Sequence, residues 1–179
     1  MKRALLVVTI IVCAVLLLFL MKQTELPITS RDVSSSPLLP PEPIGPTLSL
    51  GDRIISVEVA RTDEEQALGL GGREAMEDDH GMLFVFSESD QYGIWMQDML
   101  FPLDIVWLTP TTRKNAGMTR INAEGTQTLV VVDMKENVAV ETYPEIFYPG
   151  APALYVLELK GGFAQRNDIY VGSVLTLNE

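Results

Sequence analysis

The sequence predicts a mainly β domain, a small sandwich or barrel of short strands with one short helix at about 63–70, preceded by a transmembrane helix and a Pro/Ser-rich linker. Three observations predict it. Short apolar or alternating segments recur from Ile54 to Leu177, separated by turns rich in Gly, Pro and Asp. A helical signal is confined to one stretch after Thr62. No strand–helix alternation of the kind that builds a parallel sheet runs along the chain, which leaves the all-β architectures.

The first element is apolar. Lys2 and Arg3 precede Ala4–Met21, eighteen residues in which Thr9 is the exception to the apolar character. That length spans a hydrocarbon core as a helix. A cleaved signal peptide has similar regions, but this run is longer than a usual signal core, and Met21-Lys22-Gln23-Thr24 offers no small-residue cleavage site. A lipoprotein reading is weak because Val12 is bulky and the apolar run continues well past Cys13. The basic flank keeps the N-terminus in the cytoplasm. The expectation is a single-pass anchor over residues 1–21, with the C-terminal domain extracytoplasmic, in the periplasm or outside the cell. Residues 22–47 hold six prolines and Ser34-Ser35-Ser36, too little apolar surface to fold, and read as a disordered linker. Residues 48–179 then form one domain.

Charge narrows the partners. Lys2, Arg3, Lys22 and Arg31 against Glu25, Asp32 and Glu42 leave the first 47 residues at +1, so a total of −11 puts the remainder at −12. Phosphate backbones repel such a domain, which argues against nucleic acid. A neutral ligand, a cationic small molecule or a metal ion stays open. Cys13 is the only cysteine and His80 the only histidine, so the domain has no disulfide and no cysteine chemistry, and any triad would have to use His80.

Within the domain, Ile54–Ala60 alternates as a half-buried strand. Thr62-Asp63-Glu64-Glu65 is a capping box opening a short helix, which Gly71-Gly72 ends. Asp79-His80-Gly81 turns into the apolar strand Met82–Phe86, and Glu88-Ser89-Asp90 turns again. Gly93–Leu108 is the hub. It carries both tryptophans, Trp95 and Trp107, on two apolar arms joined at a corner holding Asp98 and Pro102. Residues 110–126 are polar and aperiodic, an exposed excursion. Leu129–Asp133 and Lys135–Val140 read as two strands, and Tyr143–Pro152 as a Pro/Tyr-rich loop. Ala153–Leu159 is a strand with Leu154, Val156 and Glu158 on one face and Tyr155, Leu157 and Leu159 on the other. Gly161-Gly162 breaks it, and Ile169–Val171 and Val174–Leu177 close the chain as short strands.

A resemblance rests on these pieces in order. They are Glu65 with Leu68-Gly69-Leu70, Arg73-Glu74, Gly81–Phe86, Trp95-Met96, Pro102–Ile105, Glu136-Asn137, Tyr143-Pro144, Ala153–Leu159, Ile169 and Val171-Gly172. Over about residues 56–174 the chain resembles the DUF192 family, also called UPF0127. The resemblance implies a small, mostly β, sandwich-like fold that is often exported or anchored, and no activity. Two departures stand out: Gln97 where the motif usually carries Lys or Arg, and the length of the 110–126 excursion.

Arg73, Asp98 and Asp104 are the polar residues at the matched core motifs. A buried charge is costly unless paired, so one reading is an Arg73–carboxylate pair fixing the corner at 93–108. The other is a ligand site formed by Arg73, Trp95, Asp98 and Asp104, with Trp95 and Trp107 as a flat stacking wall, suited to a saccharide or other small polar ligand. Asp98, Asp104, Glu136 and Glu158 are too scattered for a Ca²⁺ loop, so no metal and no cofactor is expected. Three functions follow as expectations: a binding module for a small ligand or envelope component, an enzyme acting on cell-envelope glycans through Asp98 and Asp104, and an accessory module meeting another envelope protein through 110–126. No catalytic residue is assigned.

Overall fold

Alternating segments close into a barrel in the computed structural model, which describes residues 45–111 and 125–179. The expected anchor, nearly all of the expected linker and most of the 110–126 excursion lie outside the described residues. Among those described, no helix is long and apolar enough to cross a membrane. The elements in chain order are β1 (Thr47–Leu50), β2 (Arg53–Ala60), helix α1 (Asp63–Leu68), β3 (His80–Asp90), β4 (Ile94–Trp95), β5 (Leu103–Pro110), β6 (Thr126–Val138), a 3₁₀ turn (Val140–Thr142), β7 (Ile146–Phe147), β8 (Ala153–Lys160), helix α2 (Phe163–Arg166) and β9 (Val174–Asn178). Seven strands form the closed barrel in the order β1-β2-β3-β8-β5-β6-β9, and β4 with β7 makes a separate two-stranded ribbon.

Strand parity decides what faces inward. On β8, Tyr155, Leu157 and Leu159 point into the barrel beside Ile55, Leu83, Val106, Leu129 and Leu175. Inside, the Tyr155 hydroxyl donates to Gln127 Oε1 at 2.6 Å, which pairs the buried hydroxyl with the amide oxygen. The alternate residues face outward, yet many of them are also buried. Met82, Phe84, Ile105, Trp107 and Val156 form a second core with Leu70, Met96 and Met99.

The roof over this outer face comes from two connections. Strands β2 and β3 run parallel, with Val57 opposite Gly81 and Val59 opposite Leu83. A parallel pair needs a crossover of a dozen or more residues, and residues 61–79 supply it, laying α1 and Leu70 across the outside. The second cover is the 91–102 segment, anchored by Met96 and Met99.

Several sequence expectations change here. Strand β1, absent from the reading of the sequence, pairs with both β2 and β9 and closes the barrel. Helix α1 has the predicted capping box at Thr62 and Glu65 but stops at Gly69, not Gly71-Gly72. Gly69 is the first residue able to take the φ of +50° that ends the helix. Glu88-Ser89-Asp90 belongs to β3, whose register slips between Val85 and Asp90. The two strands expected over 129–140 are one strand, β6, bent by register shifts against β5. Ile169–Val171 is not a strand; Ile169 plugs the core, while Tyr170 and Val171 are exposed. Instead, Gly162 leads into the short helix α2, too brief to leave a periodic pattern.

Candidate functional site

The roof does not seal the outer face completely. Between the 66–72 stretch, the ends of β3 and the 92–99 stretch lies a cavity of about 520 Å³. Phe84 and Phe86 come from β3, Tyr92, Trp95 and Asp98 from the covering segment, and Glu158 from β8. This mix of apolar walls with a few polar groups is the common make-up of small-molecule sites.

Each wall has a local cause. Phe86 and Tyr92 stack with ring centroids 3.5 Å apart and planes 8° from parallel. The Tyr92 hydroxyl donates to the Glu88 carbonyl at 2.8 Å, and its own carbonyl accepts the indole N–H of Trp107 at 2.8 Å. Trp95 sits on the β4–β7 ribbon opposite Ile146, with its ring edge-on to Tyr143 at 6.2 Å, and is 49% exposed. Gly93 permits that ribbon, since a Cβ there would meet Tyr148 Cε1 at 2.5 Å and Ile146 Cγ2 at 2.6 Å. Asp98 holds a left-handed backbone, φ +56°, and its carbonyl accepts from Gly72 N–H at 2.8 Å, joining the two sides of the mouth. Gln66 crosses from α1 to donate to the Val85 carbonyl at 3.0 Å.

Glu158 was grouped in the sequence only with scattered acidic residues, and the structure makes it the unusual group. It lies between Met82 on β3 and Ile105 on β5 and is 5% exposed. Its carboxyl makes no hydrogen bond or ion pair among the described residues, while it lines the cavity. Burial pushes its pKa from 4.5 up to about 8, so it holds its proton at neutral pH. The signal available in sequence was parity: an acid placed on the same strand face as Val156.

The four predicted site residues separate. Trp95 and Asp98 line the cavity together. Asp104 does not; it is fully buried on the far side of the corner, where Oδ1 accepts from the N–H groups of Asn137 at 2.7 Å and Gly162 at 3.0 Å, and Oδ2 from Ala164 at 2.7 Å. Its carboxylate thus ties β6 to the turn that starts α2. Arg73 does not pair with either aspartate. It forms a two-armed ion pair with Glu58 on β2, with Nη2 to Oε2 at 2.9 Å, and both side chains are substantially exposed. The Arg73 guanidinium holds the Glu58 carboxyl below its usual range. The expected buried Arg–Asp pair is therefore corrected: backbone N–H groups, not a guanidinium, satisfy Asp104. The expected stacking wall of two indoles is corrected too, because Trp107 is fully buried behind Tyr92 and only Trp95 reaches the cavity. Asp98 and Asp104 share no cavity, which removes the geometry that glycan cleavage by that pair requires.

Elsewhere on the surface, Glu77, Asp79 and His80 bring one ligand atom each within 4.8 Å of the others. His80 Nδ1 lies 2.9 Å from Asp79 and 3.3 Å from Glu77, an exposed acidic turn around the one histidine.

Fold and site together define a small closed β-barrel domain with a roofed lateral cleft, aromatic on its walls and acidic at its mouth and floor. The chain belongs to the DUF192 family, described as uncharacterized ACR, whose profile matches residues 47–177. A protein from Sinorhizobium meliloti 1021, designated a candidate transcription regulator, is similar at 28% identity with a TM-score of 0.57, over 73% of this chain and 89% of that one. A protein of unknown function from Novosphingobium aromaticivorans DSM 12444 is similar at 28% identity with a TM-score of 0.55, over 73% of this chain and 83% of that one. No curated protein matches the chain.

Proposed function

We propose that the protein is a membrane-anchored binding module whose β domain stands on the extracytoplasmic side and takes a small polar ligand or envelope component into the cleft beside Trp95. The observation that carries this reading is the cavity of about 520 Å³ lined by Trp95, Tyr92 and Asp98. A half-exposed indole offers a stacking face, and a carboxylate at the mouth accepts hydrogen bonds from hydroxyl or amino groups. The anchor rests on Lys2-Arg3 followed by Ala4–Met21, and the orientation on that basic flank. The regulator designation of the Sinorhizobium protein does not fit well here, because a domain of charge −12 repels DNA.

The test is intrinsic fluorescence of the full-length chain titrated with saccharides and small amines. Trp107 is buried and does not line the cavity, so comparison with Trp95→Phe separates the two contributions. The expected result is a saturable change with at least one probe that disappears in Trp95→Phe while the thermal midpoint of that variant stays near the parent's. A parent protein whose Trp95 emission responds to none of these probes would overturn the reading.

A further inference from the structure

Glu158 is the one group in the cleft whose chemistry is incomplete. Among the described residues its carboxyl has no hydrogen-bond or ion-pair partner. Although the residue is 5% exposed, its oxygens open onto the cavity, since no fully buried side-chain oxygen among the described residues is left unsatisfied. Desolvation there carries a cost that proteins normally relieve with a partner. Nothing among the described residues around it provides one. Strand β3 presents Met82 and Phe84, β5 presents Ile105, and the next outward residue of β8, Lys160, is engaged with Asp78 at 2.7 Å. The covering segment adds Tyr92, whose hydroxyl is already donated to Glu88, and Asp98, whose side chain meets Gln97 Nε2 at 3.4 Å. The open direction is the cavity itself.

The charge of the lining says what fits there. Asp98 and Glu158 are its ionisable carboxyls, and among the described residues no Lys, Arg or His joins them. Anionic ligands are excluded by that balance. Aromatic faces beside carboxylates are the usual means of holding an organic cation. We propose that the cleft binds a primary ammonium group, whose N–H donors complete the Glu158 carboxyl while its carbon chain lies against Tyr92 and Trp95. The inference rests on the cleft being a ligand site and names the class of that ligand.

Binding of this kind moves a proton. Glu158 is protonated in the free protein at neutral pH and must give its proton to solvent when the ammonium arrives, so that a neutral carboxyl becomes the carboxylate of an ion pair. Affinity for a fully charged amine therefore rises with pH, by up to about tenfold per unit below pH 8, and levels off above it. A neutral ligand using the same carboxyl as a hydrogen-bond donor shows the opposite trend.

The experiment uses the full-length chain in nonionic detergent, with 1,4-diaminobutane and its uncharged isostere 1,4-butanediol as probes, and N-acetylglucosamine as the saccharide control. Trp95 fluorescence and titration calorimetry in two buffers of different ionisation enthalpy read affinity and proton release. We expect diaminobutane to bind at least about tenfold more tightly than butanediol, to gain affinity between pH 6 and pH 8, and to release a proton. Glu158→Gln should lose at least about tenfold for the diamine and abolish its gain in affinity between pH 6 and pH 8. Asp98→Asn, at the exposed mouth, should lose less. Equal affinity for diamine and diol, a flat or falling pH dependence, or an unaffected Glu158→Gln overturns the ammonium assignment. Saturable binding of N-acetylglucosamine or butanediol with no advantage for the diamine overturns it while leaving the cleft a ligand site. Silence from Trp95 with all three probes sinks both.

Discussion

The indole N–H of Trp107 donates to the main-chain carbonyl of Tyr92 at 2.8 Å. One tryptophan, fully buried, thereby holds the backbone of the residue that walls the cleft, while the other, Trp95, stands in the opening. Trp107→Phe keeps much of the apolar volume but leaves that carbonyl without its donor. The expected cost is on the order of 2 kcal/mol. Urea unfolding measures it, and a midpoint unchanged from the parent would show that the bond supports nothing.

Asp104 gathers three backbone N–H groups, from Asn137, Gly162 and Ala164. Asparagine keeps one oxygen and turns an NH₂ group toward an N–H, so Asp104→Asn is expected to destabilise by about 2–4 kcal/mol. Arg73→Ala, which removes only the exposed pair with Glu58, is expected to cost less than about 1 kcal/mol. Thermal and chemical denaturation of the two variants side by side settle the order; a costlier Arg73→Ala would reverse the structural assignment.

Glu158 makes stability depend on pH in a stated direction. Its folded carboxyl titrates near 8 against 4.5 ordinarily, so the folded protein keeps a proton that the unfolded chain gives up. Stability is therefore highest below about pH 4.5 as far as this group is concerned, falls as pH rises toward 8, and levels off beyond. Glu158→Gln removes that dependence. Its advantage over the parent should grow from near zero at pH 4.5 to about 3 kcal/mol at pH 7, at about 1.4 kcal/mol per unit. Parallel stability curves for the two proteins across this range would refute the buried, partnerless carboxyl.

Gly93 sits where a Cβ would press on Tyr148 and Ile146 at 2.5 and 2.6 Å. Gly93→Ala should part β4 from β7, cost about 1–3 kcal/mol, and weaken any ligand-induced change in Trp95 emission. Retention of the full response at unchanged stability would show that the ribbon does not position the indole.

Much of the fold is legible in the chain because local rules and tertiary structure agree there. The alternation of Ala153–Leu159 fixed which residues entered the barrel, and Thr62 with Glu65 marked the start of α1. What escaped was long-range. The parity of β8 put Glu158 outside, but nothing local tells that residues 61–79 and 91–102 fold back over that side and bury it. The corner at 96–102 likewise sends Asp98 to the cleft and Asp104 to the turn before α2, although the two are six residues apart in sequence. Asp104 looked in need of a cation because carboxylates are usually counted against side chains. Its partners are main-chain amides, which every sequence has and no sequence advertises. β1 was hidden by its position, four residues abutting the Pro-rich segment.

Barrel closure by β1 also limits how other macromolecules approach. With β9 returning to β1, the first and last barrel strands have no open edge for a foreign chain to extend, so donor-strand exchange finds no template at that seam. Free strand margins remain where β3 continues to Asp90 beyond its pairing with β2, where β6 continues to Val138 beyond its pairing with β9, and on the two-residue arms of the β4–β7 ribbon.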